Sequence, residues 1–161
     1  MVNEAVRDDL AAAERSFEVS PEAVEEGLDV DDPALVQLRR ACRLLAAGAR
    51  LLDNGYFTVV IESSFVAIER TIQFRLIHDG AMKPEQVISN HDQLYRRGIE
   101  TGLFDETFGE RLTELWNQNR SKTYYRLGIA TENQARTMHR LASNLHQHLI
   151  NVTGVKHECI C

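Results

Sequence analysis

Between Trp116 and Gly128 the chain reads WNQNRSKTYYRLG, a run with three cations and no acidic residue inside a chain of net charge -6. These residue types suit a phosphate-bearing ligand. An arginine fork such as Arg120 holds a phosphate through two parallel hydrogen bonds, and Lys122 and Arg126 add charge. Tyr124 and Tyr125 offer faces on which bases stack, and Asn119 offers an amide. Each group also has a plainer use. Cations gather at helix C-termini because the macrodipole favours them there, and tyrosines commonly fill cores and interfaces.

Other chemistry-bearing residues are scattered. Glu62 and Glu69 stand two helical turns apart and, with Gln73, either face a polar cleft or pair with Arg70, Arg75 or a neighbouring helix. His91 opens the unit HDQL, where it caps and packs or serves as an imidazole for proton transfer. His139, His146 and His148 read as surface residues of the last helix. His157, Cys159 and Cys161 are of metal-ligating type, but they lie in a tail, VKHECIC, with no evident partner element. That tail reads as a solvent-exposed end, and neither a metal site nor a cofactor is expected. Cysteine number points the same way: with Cys42 there are three, an odd count that argues against a disulfide framework. Gly-rich phosphate loops, paired zinc-type cysteine spacings and G-x-S-x-G elbows are missing from the sequence.

Composition bounds the rest. With 161 residues, 43% apolar and 26% charged, the chain has the proportions of one globular domain. No apolar run reaches the roughly 20 residues of a membrane helix, and the first residues lack a secretory apolar core, so a cytoplasmic location without membrane association is expected. Net negative charge argues against broad attraction to nucleic acid, yet the charge is uneven. Glu18 to Asp32 carries seven acids and no base, whereas Arg96–Arg97 and Arg120–Arg126 are basic islands.

The elements that must position these groups read as helices. Residues 3–17 have the pattern of a modest amphipathic helix, and Ser20-Pro21 signals a short one ending at Gly27. Asp32-Pro33 opens a helix with apolar residues at three-and-four spacing up to Leu52. Next, YFTVVIESSFVAIERTIQFRLIHDG is rich in β-branched residues, but its length and two apolar stripes predict a central helix. One stripe is Phe57, Ile61, Phe65, Ile68, Ile72 and Leu76, the other Val60, Ala67, Thr71 and Phe74. Asn90 and Asp105 are N-caps of two further helices, the second expected to run through Arg120 and Tyr124, and Thr131 with Gln134 makes a capping box for the last. The sum is an all-α, up-and-down antiparallel bundle of four main helices with short additional ones. Residues 1–33 form an acidic N-terminal helical extension, 34–151 the bundle and 152–161 a C-terminal tail.

The order of a central helix, a helix opened by HDQL, a helix ending in NRSKTYYR and a closing amphipathic helix resembles the HEPN domain, over about residues 35–150. The resemblance implies a dimerising helical bundle related to metal-independent ribonucleases, often toxins paired with a nucleotidyltransferase antitoxin. It also implies an active motif made of an arginine followed, after about four to six residues, by a histidine. Arg120 matches that arginine. The histidine is replaced by Tyr125 or Arg126. A tyrosine ordinarily titrates near about 10 and arginine stays protonated, so neither moves protons readily at neutral pH. The expected function is therefore a HEPN-like homodimer that binds RNA through Asn119, Arg120, Lys122, Tyr124 and Arg126, with Arg120 and Tyr125 as candidate catalytic residues of a divergent endoribonuclease. The alternative is a catalytically inactive interaction module that partners a nucleotidyltransferase or another protein. Whether it is an enzyme stays open at this point.

Overall fold

The computed structural model describes residues 2–18, 23–86, 88, 90–119 and 128–161, and every regular element among them is helical. In chain order these are α1 (Glu4–Glu18), α2 (Pro33–Asp53), α3 (Phe57–His78), α4 (His91–Glu100), α5 (Glu106–Gln118) and α6 (Glu132–Thr153), followed by a 3-10 turn at Lys156–Glu158. The all-α class expected from the sequence is what the structure has.

The helix starts are written locally. Asp32 accepts a hydrogen bond from the Ala34 amide at 2.8 Å, Asn90 from Gln93 at 2.7 Å and Asp105 from Phe108 at 2.8 Å. Thr131 and Gln134 form the reciprocal capping box. Each satisfies amides that a helix leaves without an internal partner. At the other end of α6, Gly154 takes a left-handed conformation with φ 78°, which stops the helix and turns the tail back. The short helix expected to end at Gly27 is not found among residues 23–27, which run as loop; Gly27 itself has φ 82°. Pro21, its proposed first residue, lies outside the described residues.

Helix α3 is the centre. Its two stripes are buried along their length, with Phe57 alone partly exposed, because α3 is packed between neighbouring helices, α2 and α6 chief among them. The three-residue turn after α2 sends α3 back antiparallel, and Gln37 meets Arg70 while Gly48 lies near Ser63. α5 also runs against α3, placing Trp116 edge-on to Phe65 with ring centroids 4.9 Å apart and Asn119 against Glu62. α6 runs with α3, as Thr71 meets His146 and Arg75 meets Thr153. α4 packs on α3 and α5 through Leu94 and the fully buried Tyr95. Helix α1 buries no residue, and its apolar side chains Val6, Leu10 and Phe17 are exposed.

Candidate functional site

One face of α3 carries the charged seam. Glu62 and Glu69 are two turns apart and both engage a neighbouring helix, which is the outcome the sequence allowed over pairing with Arg70 or Arg75. Glu62 accepts a hydrogen bond from the Asn119 amide at 3.1 Å. Glu69 is buried and accepts one from His91 Nδ1. The His91 imidazole, placed at the first position of α4 by the Asn90 cap, lies against the Trp116 indole with centroids 3.5 Å apart. Gln73, one turn further along α3, is buried. The seam thus links a carboxylate and an imidazole to the last turns of α5, and Asn119 is the residue before Arg120 in the sequence.

Of the proposed ligand-binding residues, Asn119 is described and forms part of this seam. Arg120, Lys122, Tyr124, Tyr125 and Arg126 lie outside the described residues, as does the expected continuation of α5 through them. A small cavity of about 160 Å³ adjoins Asn119, lined mainly by apolar side chains including Ile61, Phe65, Leu115 and Met138. It is smaller than the several hundred Å³ usual for a small-molecule site.

The basic island at Arg96–Arg97 is not a phosphate platform. Arg97 donates to the Ala81 carbonyl at 2.9 Å and pairs with Glu100. Arg96 lines a groove between α4 and α5 with Asp92, Glu100, Glu106, Glu110 and Glu114, where carboxylates outnumber it. The field there repels phosphate.

A second constellation joins residues far apart in sequence. The tail, expected to be solvent-exposed and without a partner, instead folds back across the ends of α2 and α6. Val155 and Cys159 pack on a small core of Ala34, Leu38, Phe74 and Ile150. Arg39 holds the tail by donating to the Glu158 carboxylate at 3.0 Å and to its carbonyl at 3.4 Å. This brings Cys159 and Cys161 to Cys42 of α2 and His146 of α6, with all four ligand-type atoms within 4.8 Å of one another.

His146 was expected at the surface; it is 2% exposed, because it sits on the face of α6 that meets α3 and Cys42. His139 is half-buried and bonded to the Leu45 carbonyl at 2.9 Å, also away from the expected surface, while His148 is exposed as expected. His157 takes no part in the cluster and pairs with Glu158 at 3.3 Å. In the sulfur group the Cys42 thiol is held down to about 4, chiefly by a hydrogen bond from Cys161 and then by His146, against the effect of burial. Cys161 is raised correspondingly because it keeps the shared proton. Burial raises Cys159.

Sequence reasoning found the tail cysteines and missed Cys42 and His146 as their partners. No spacing rule joins them, since His146 and Cys42 are separated by 104 positions.

Over residues 1–161 the chain matches the family described as Domain of unknown function (DUF8154). No curated protein and no solved structure matches it.

Proposed function

Because the chain belongs to the DUF8154 family, whose description assigns no activity, we propose its role from its own residues: a HEPN-like homodimer that binds RNA at the end of α5, with Arg120 gripping phosphate. The observation that supports this reading is the seam at the described end of α5. Asn119, the residue before Arg120 in the sequence, is oriented by Glu62, and the ring of Trp116 is covered by His91. A polar, oriented end of a helix next to a run of cations and tyrosines is what phosphate and base contacts use.

The Glu69–His91 pair favours a second, enzymatic reading. A buried carboxylate that accepts from Nδ1 fixes the tautomer and leaves Nε2 as a base, the arrangement by which a histidine is oriented for proton transfer. In this reading His91 supplies the proton-handling group that the motif lacks after Arg120, and the protein is a divergent metal-independent endoribonuclease of the toxin type, with a nucleotidyltransferase as its natural antagonist.

One set of measurements separates the outcomes. RNA retention and cleavage of mixed RNA are compared for the unaltered protein, Arg120→Ala, Tyr125→Phe and His91→Ala, with the oligomeric state read by light scattering. Retention lost in Arg120→Ala carries the binding reading. Cleavage abolished in His91→Ala with RNA still held carries the enzymatic one. A monomer that neither retains nor cuts RNA overturns both and leaves the interaction module.

A further inference from the structure

We propose that Cys42, His146, Cys159 and Cys161 form a closed tetrahedral zinc site that clamps the C-terminal tail onto α2 and α6. The proposal is independent of the RNA reading.

The donor set is the first argument. Three sulfurs and one imidazole nitrogen are a standard structural zinc complement, and soft thiolates with tetrahedral geometry select zinc over the oxygen-seeking cations. The second argument is size. A tetrahedral ion with Zn–S near 2.3 Å and Zn–N near 2.0–2.1 Å requires S···S edges of about 3.8 Å and S···N edges of about 3.6 Å. Cys42 Sγ and Cys159 Sγ are 3.5 Å apart. From His146 Nε2 the sulfurs of Cys161, Cys42 and Cys159 stand at 3.2, 3.4 and 3.7 Å. These edges are within a few tenths of an ångström of those a zinc ion spans.

The tautomer is the third argument. Thr71 donates its hydroxyl proton to the Ala67 carbonyl at 2.8 Å, so its oxygen is left to accept from His146 Nδ1 at 3.0 Å. The Nδ1 proton is thereby assigned, and Nε2 presents a lone pair to the three sulfurs. A ligating histidine is ordinarily held in this way, by a hydrogen bond from its other ring nitrogen.

The backbone supplies the fourth. Cys159 is extended, with φ -73° and ψ 134°, and in extended chain alternate side chains share a face. Cys159 and Cys161 therefore reach the same centre while Ile160 points to the opposite side, where it covers Gly27. Arg39 adds a positive charge at Glu158, beside a site that three thiolates and one divalent ion leave with one negative charge. All four positions are protein ligands, so the ion has no open position for substrate and its role is to hold the chain.

Binding is written as loss of the thiol protons to solvent as three Zn–S bonds and one Zn–N bond form; no electron is transferred. The test uses the full chain, expressed without a metal-affinity tag. Zinc is measured by inductively coupled plasma mass spectrometry, and the chain is reconstituted with cobalt as a spectroscopic probe. The unaltered protein should hold one zinc per chain, and its cobalt form should show intense tetrahedral d–d bands with thiolate charge transfer. The tail variant Cys159→Ser/Cys161→Ser should lose the metal and the charge-transfer band while keeping its helical circular dichroism. That variant is preferred to Cys42→Ser, whose buried position makes misfolding a competing cause of metal loss. Zinc content equal in the unaltered protein and the tail variant overturns the site, as does a folded, reduced protein that takes up neither zinc nor cobalt. A Cys42–Cys159 disulfide in protein isolated under thiol-blocking conditions overturns it too.

Discussion

Tyr95 shows how much a single buried group can reveal. Its side chain is fully buried and its hydroxyl has no hydrogen-bond partner among the described residues. Burial, and then the facing carboxylates of Glu69 and Asp92, push the phenol far above its ordinary value of 10.0. An unfolded chain ionises near that ordinary value while the folded one keeps its proton. Above pH about 10 the unfolded state therefore holds fewer protons, and stability falls as the pH rises. Melting followed by circular dichroism should show this alkaline fall, and Tyr95→Phe should flatten it while changing neutral-pH stability by no more than about 1 kcal/mol. An unchanged alkaline slope in the variant would assign the titration elsewhere. Thr71 offers the matching test at the sulfur cluster. Thr71→Val removes the oxygen that fixes His146, and loss of such an orienting partner ordinarily weakens metal affinity about 10- to 100-fold. Competition against a calibrated chelator measures this, and equal affinity would dismiss the orienting role.

Among the helices, the α4–α5 hairpin depends on two glycines. A methyl at Gly98 would run into the Phe104 ring and one at Gly109 into the Ile99 side chain, so the two helices approach as closely as they do because these side chains are absent. Alanine normally favours a helix over glycine by up to about 1 kcal/mol. Overpacking against a ring costs about 1–3 kcal/mol, so Gly98→Ala should be net destabilising in urea titration. A more stable Gly98→Ala variant would show that Phe104 turns aside freely. The hairpin carries both His91 and Asn119 to α3, and so holds the seam on which the proposed function rests. The tail is an element of a different kind. It is a 3-10 turn and the few residues after it, held by the packing of Val155 and Cys159, by the Arg39–Glu158 pair and, under the zinc proposal, by the metal. Chelation should therefore speed tryptic cleavage after Lys156, read by mass spectrometry, and equal rates with and without chelator would mean the tail is held by packing alone.

Among the described residues, the molecule is a helical core with α1 outside it. The core is continuous from Leu45 through α3 to Leu149, with a smaller cluster at the tail end. None of the α1 side chains enters either cluster. Deleting residues 1–18 should leave the melting temperature unchanged. A clear fall would show that α1 is docked in solution through Val6, Leu10 and Phe17, which are exposed in this structure. No helix among the described residues is long and apolar enough to cross a membrane. The acids of the α4–α5 groove make that face a poor phosphate-binding surface.

The sequence by itself determined the helices α1 to α6, the N-caps of α2, α4, α5 and α6 and the two buried stripes of α3, while the short helix it also predicted before Gly27 runs as loop over residues 23–27. The helices, caps and stripes are set by interactions within a few residues, between a cap and the amides beside it or along one helical face, and so they survive in a one-dimensional reading. It also placed Glu62 and Glu69 on one face, though their partners Asn119 and His91 come from other helices 57 and 22 positions away. The cysteine and histidine cluster was decided by tertiary structure alone. In the sequence His146 reads as a surface residue, a histidine followed by the polar Gln147 and His148, and Cys42 reads as one of the apolar positions of its helix. Only the crossing of α2 and α6, and the reversal after Gly154 that returns the tail over both, brings three thiols to one imidazole. A cluster in which Cys42 and Cys159 stand 117 positions apart has no local periodicity to announce it, because what selects it is the distance between atoms and not the distance along the chain.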